Sequence, residues 1–147
     1  MGSNSTHNPI RVLIVKNYNR LVSGLITAFT IHPDIDLVGT ASNGVEAIAH
    51  CQQLNPDVVL MELAMPDLDG VSAIQEIHQH QPNIQIITLS KFAEESLVRQ
   101  ARQAGAVGNV QLGDSADSIV TTIRNVYVNA TREQQSQDTQ NTESSSR

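Results

Sequence analysis

The sequence predicts an α/β protein: a five-stranded parallel sheet, doubly wound, with helices on both of its faces. Three observations predict it. Short apolar runs of strand length alternate five times with stretches whose apolar residues recur at helical spacing. The strand runs are close to continuously apolar, as strands covered on both faces are. The composition is 39% hydrophobic and only 3% aromatic, so a core must be aliphatic, and 147 residues suit one domain.

The elements follow in order. Residues 10–15 are a run of strand formers, and Leu21, Leu25, Ala28 and Phe29 then recur at helical spacing. A second strand covers 35–40. Asn43 starts the next helix, with Glu46 three residues on as a capping box and Val45, Ile48 and Ala49 continuing it. Residues 58–63 form an apolar run broken only by Glu62. Asp69-Gly70 opens a third helix through Ala73, Ile74 and Ile77, and a fourth strand follows at 84–89. A helix over 94–104 is stopped by Gly105. A short fifth strand spans 106–111, and Ser115 caps a last helix over 119–128.

The ends have a different composition. Residues 1–9 are mostly polar without formal charge and are expected to be a disordered leader. Residues 131–147 hold no aliphatic or aromatic side chain, so they cannot bury a core, and are expected to be a disordered tail or a linker to a missing output domain. The folded unit is therefore 10–130. A net charge of −6 makes the chain a poor candidate for binding nucleic acid directly, since phosphate contacts need clustered Lys and Arg. The single cysteine, Cys51, excludes an internal disulfide and suits a reducing cytoplasm. No apolar run approaches a membrane span, and no signal peptide is expected. Met1-Gly2-Ser3-Asn4-Ser5-Thr6 matches a myristoylation pattern but is taken as leader. Asn4-Ser5-Thr6 and Asn129-Ala130-Thr131 match glycosylation acceptors, which a cytosolic chain would not use.

In parallel α/β sheets the chemistry sits at the carboxyl ends of the strands. Those ends carry Lys16-Asn17, Glu62, Ser90 and Leu112. Six segments in order resemble the receiver domains of response regulators, most of all those of the NarL/FixJ class, across nearly all of 10–130. They are Arg11-Val12-Leu13-Ile14-Val15, Pro33-Asp34-Ile35 through Val38-Gly39, Asn43-Gly44-Val45-Glu46-Ala47, Pro56-Asp57-Val58-Val59-Leu60-Met61, Met65-Pro66-Asp67-Leu68-Asp69-Gly70 and Ala104-Gly105-Ala106-Val107-Gly108. The resemblance implies the CheY-like, flavodoxin-like (βα)5 fold.

It also implies a site. Active members of the family carry an acid pair after the first strand, a phosphoacceptor Asp ending the third, a Ser or Thr after the fourth and a Lys after the fifth. The carboxylates hold Mg²⁺, and the Lys and hydroxyl bind the phosphoryl oxygens. Here the acid pair aligns with Lys16 and Asn17, the nucleophile with Glu62 and the Lys with Leu112. Ser90 retains the hydroxyl, and the switch aromatic of the fifth strand aligns with Asn109. Lys16, Asn17 and Glu62 together carry no net charge, so a divalent cation has no electrostatic reason to enter. The extra methylene of Glu62 moves its carboxylate out of place for phosphoryl transfer. Neither phosphorylation, enzymatic activity nor Mg²⁺ or another cofactor is expected.

Two readings of the altered site are open. Lys16 pairs with Glu62, with Ser90 as a donor, and mimics an activated pocket; or these are drifted residues and Lys16 snorkels to solvent. Function is likewise open between three classes. The chain is a phosphorylation-independent interaction module, acting in transcription regulation through a DNA-binding domain not present here. Or it is a phosphoacceptor with unusual chemistry on Glu62 or Ser90, or a small-molecule sensor. Protein partners or a second copy would meet helices one and five, or the face of helix four, strand five and helix five; Leu97, Val98, Val120 and Ile123 are apolar candidates there. His78 and His80 lack the i, i+4 spacing of helical metal ligands. Asp67 and Asp69 suit a loop and an N-cap, and Cys51 suits a core face.

Overall fold

The computed structural model describes residues 8–16, 19–63, 70–91 and 94–145; of 19–23 and 134–145 it describes the backbone alone. Strands and helices alternate as β1 (Ile10–Val15), α1 (Asn19–Ile31), β2 (Ile35–Ala41), α2 (Gly44–Leu54), β3 (Val58–Glu62), α3 (Gly70–His80), β4 (Gln85–Ser90), α4 (Glu95–Ala104), β5 (Gly108–Gln111) and α5 (Ala116–Ser145). All strand pairs are parallel, in the order β2-β1-β3-β4-β5. The chain steps outward from β1 to β2, then returns to place β3 on the other side of β1. Strand order reverses there, so the β1 and β3 carboxyl ends border the crevice where α/β sheets do their chemistry.

The continuous apolar runs have a direct cause. Successive side chains of a strand point to opposite faces, and both faces are covered. Leu13, Val15, Val59 and Met61 pack against Ala47 and Cys51 of α2, Ile74 and Ile77 of α3 and Ala101 of α4. Val12, Ile14, Leu60, Ile87 and Leu89 pack against Leu25 and Phe29 of α1 and Ile119, Val120 and Ile123 of α5. Cys51 is fully buried as expected, and burial pushes its thiol up to about 12.

Local signals place the helix ends. The Asn43 side chain accepts from the Glu46 amide at 2.8 Å, while the Glu46 carboxylate accepts from the Ser42 amide at 3.2 Å, one residue earlier than a capping box closes. Asn55 ends α2 in the left-handed region at φ 46, where Asn is tolerated. Gly105 ends α4 at φ 131, and a side chain there would also strike the His78 ring, 2.6 Å from its Cγ. The Ser115 hydroxyl accepts from the Ser118 amide at 3.1 Å and caps α5 as expected.

Two elements depart from expectation. The fifth strand begins at Gly108 rather than 106, because the Ala106 amide is committed to the Ala101 carbonyl and closes the α4 turn. The last helix runs to Ser145, so 131–145 are helical backbone where an irregular tail was expected. Arg132, Glu133, Gln134 and Gln135 are straight-chain helix formers that need no apolar stripe to continue an existing helix. Asn17, Asp67 and Asp69 lie outside the described residues, as do the first seven residues of the leader.

Candidate functional site

The register of the central strands sets up the site. Val15 lies opposite Met61 across the β1–β3 pair, which carries Lys16, just past β1, alongside Glu62, the last residue of β3. Lys16 follows Ile14 by two residues and Glu62 follows Leu60 by two, so alternation directs both toward the face of α1 and α5. The Lys16 Nζ donates to Glu62 Oε1 at 3.1 Å, and the two side chains are 0% and 4% exposed. Lys16 therefore does not snorkel to solvent. The ion pair of the first reading is present, and it lies inside the protein.

Ser90 does not join it. Leu89 and Val110 belong to the α1/α5 face, so Ser90, Thr88 and Asn109 point to the opposite face, that of α2 to α4. There the Asn109 side-chain oxygen accepts two hydroxyl bonds, from Thr88 Oγ1 at 2.6 Å and from Ser90 Oγ at 3.1 Å. Thr88 and Ser90 are both buried. The hydroxyl expected to serve Glu62 is held by β5 instead. This corrects the part of the activated-pocket reading that made Ser90 a donor to the pair.

Leu112 is also drawn away from polar chemistry. Its amide donates to the Ser90 carbonyl at 2.9 Å, while its side chain packs on the α1/α5 cluster. With Gly24, Leu25, Leu89, Asp114, Ala116 and Ile119 it lines a mainly apolar cavity of about 220 Å³.

The described donor set does not fit a hard divalent cation. Such an ion wants several oxygen ligands. Among the described residues the β1–β3 crevice presents one carboxylate, with an ammonium within 3.1 Å of its oxygen. Among the described residues no group of three or more His, Cys, Asp or Glu side chains could hold a metal. His78 and His80 are both exposed on α3, and the His80 Nδ1 lies 2.9 Å from the Glu76 carbonyl.

A second polar cluster was not anticipated. Arg124 on α5 grips Asp34, before β2, through Nε at 2.6 Å and a terminal nitrogen at 2.9 Å. The same guanidinium approaches His32 Nδ1 at 2.9 Å, and His32 Nε2 lies 3.5 Å from Asp117. A guanidinium only donates, so the contact makes His32 Nδ1 an acceptor. The Arg124 hydrogen bond holds the Asp34 carboxyl below its ordinary value. The partners are 90 residues apart in the chain, so no local pattern announces them.

Comparison with known proteins agrees with this topology. Residues 12–124 match the model of the response regulator receiver domain family. The response regulator protein VraR of Staphylococcus saprophyticus is 34% identical over 121 residues, covering 82% of this chain and 58% of that protein. VraR of Staphylococcus aureus is 35% identical over 115 residues, covering 78% and 55%. The chain thus spans little more than half the length of these curated relatives. Among solved structures, the response regulator domain of Thermotoga maritima CheB superposes with a TM-score of 0.75 at 27% identity, covering 82% of this chain and 97% of that one. The receiver domain of a putative NarL regulator from Mycobacterium tuberculosis gives 0.77 at 23% identity, covering 82% and 97%, a likeness of fold. A DNA-binding response regulator of the LuxR family from Staphylococcus aureus gives 0.75 at 24%, covering 80% and 98%.

Proposed function

The chain belongs to the response regulator receiver domain family, and from that premise we propose that it is a receiver whose state is set without phosphorylation. It works in two-component signalling as a module that other proteins contact, not as an enzyme. The observation that carries this reading is the buried Lys16–Glu62 ion pair at the β1–β3 crevice. The place of the metal and the phosphoacceptor is taken by two side chains of the protein itself. Neither Mg²⁺ nor another cofactor takes part.

The partners are proteins. A second copy or a different chain meets the surface of α1 and α5, or that of α4, β5 and α5. The relatives' greater length, and the DNA-binding regulator among the similar structures, support a role in transcription regulation. Contact with DNA then belongs to an output segment joined beyond α5, because this receiver carries a net charge of −6. The cytoplasm is the compartment in which such a regulator acts. Among the described residues no helix is long and apolar enough to cross a membrane.

The reading is tested by sedimentation velocity on the full chain with and without acetyl phosphate and Mg²⁺. Its association state is expected to be the same in both conditions. A shift that requires both reagents would return the protein to phosphorylation-driven signalling.

A further inference from the structure

We propose that the cavity between α1, β4 and the start of α5 binds a small apolar amine, with its ring or alkyl body against Leu25, Leu89, Leu112 and Ile119 and its ammonium on Asp114. The site lies apart from the Lys16–Glu62 pair and does not rest on how the receiver is switched.

The walls select the body of the ligand. Leu25 of α1, Leu89 of β4 and Ile119 of α5 are buried, and Leu112 and Ala116 pack on the same cluster. An apolar cavity attracts little water, and one of about 150 Å³ accepts a benzene ring. This one has about 220 Å³, which gives room for a single ring with a short arm. It lies toward the carboxyl ends of β4 and β5, where parallel α/β sheets take their ligands. Leu89 stands opposite Glu62 in the β3–β4 ladder, so the cavity wall is one strand away from the buried pair and includes neither of its charges. The way in is at Gly24 and Asp114, the exposed members of the lining. A Cβ on Gly24 would meet no described atom within 4 Å, so the α1 wall leaves open space there.

The rim selects the charge. Asp114 is the one charged residue of the described lining. Its amide donates to the Gln111 carbonyl at 3.0 Å, and its Oδ2 accepts from the Gln111 amide at 2.9 Å. This reciprocal pair fixes the turn and holds the carboxylate at the mouth. A carboxylate has about four lone-pair sites, so a bond from one amide leaves it able to accept an ammonium. Its full negative charge exceeds the roughly half-unit positive end of α5 beside it. An anion of the same shape would meet that carboxylate as a like charge, and a neutral analogue would gain the apolar contact alone.

The test is amide NMR on the full chain, titrated with phenethylamine, 2-phenylethanol and 3-phenylpropionate, which share a ring and a two-carbon arm. Phenethylamine is expected to saturate the shifts of Leu112, Ala116 and Ile119 with a dissociation constant on the order of a millimolar, the scale for a ligand of about nine non-hydrogen atoms. The alcohol is expected to bind about threefold more weakly, the worth of one exposed charge pair, and the carboxylate more weakly still. Asp114→Asn keeps an acceptor for the Gln111 amide and is expected to bring amine and alcohol to equal affinity. Gly24→Leu and Ala116→Leu narrow the cavity from two sides, the first with a better helix former than glycine. Each is expected to weaken all three ligands about tenfold. Four results would overturn the proposal: no saturable shift, an amine bound no tighter than the alcohol or the carboxylate, selectivity that survives Asp114→Asn, or undiminished binding in both filled variants. A phosphoryl adduct on the wild-type chain would contradict the proposed function alone, and the titration would still decide this site.

Discussion

Lys16 and Glu62 are withdrawn from water together, and that fixes how substitutions there must behave. A buried ion pair is weak evidence for stability, because desolvation offsets much of the attraction, but stranding one charge is costly. Lys16→Met alone, or Glu62→Leu alone, is expected to destabilise by about 3–5 kcal/mol. Lys16→Met/Glu62→Leu is expected to cost far less than either, and urea unfolding of the three variants checks the order. Equal or additive losses would mean that the two side chains do not act as a pair. The pair was half-legible in the sequence: both residues stood at strand ends known to converge, and their charges were opposite. The partner of Ser90 was not legible. It depends on the inter-strand register, which puts Ser90 on the face opposite Glu62 although both end neighbouring strands.

At the scale of elements, the tight point is the join of β3 to α3. The Gly70 amide donates to the Leu63 carbonyl at 2.9 Å, and a Cβ on Gly70 would lie 2.5 Å from the Glu62 carbonyl oxygen and 2.7 Å from the Leu63 Cα. Both obstacles are backbone, so a methyl group must displace the start of α3. Gly70→Ala is expected to destabilise by about 1–3 kcal/mol, read as a lower urea midpoint at unchanged slope. The α5 helix is fastened elsewhere, by Arg124 on Asp34. Because the Asp34 carboxyl titrates below its ordinary value of 3.8, its contribution is fully present above that value and is lost as pH falls through the lowered one. The pair is nearly half-exposed, so the effect stays below about 1 kcal/mol. Arg124→Ala is expected to lose stability near neutral pH and to converge on wild type in acid, as thermal melts at a series of pH values would show. The sequence disclosed the strands and helices themselves because apolar runs and caps are local. It did not disclose the length of α5, since the polar residues after Val128 have helix propensity but no periodic apolar stripe.

The whole molecule has the receiver architecture. Strand order, register and the two apolar clusters depend on aliphatic side chains buried on both faces of the sheet. They do not depend on which charges sit at the strand ends, so the scaffold accommodates Lys16, Glu62 and Leu112 there. Fold and family were legible for that reason: the pattern that specifies them is spread over more than 100 matched residues, 12–124. The most direct test is intact mass after incubation with acetyl phosphate and Mg²⁺, on wild type and on Lys16→Asp/Asn17→Asp/Glu62→Asp/Leu112→Lys. Wild type is expected to remain unmodified while the four-fold variant gains one phosphoryl group. A stable phosphoryl adduct on the wild-type chain would contradict the account.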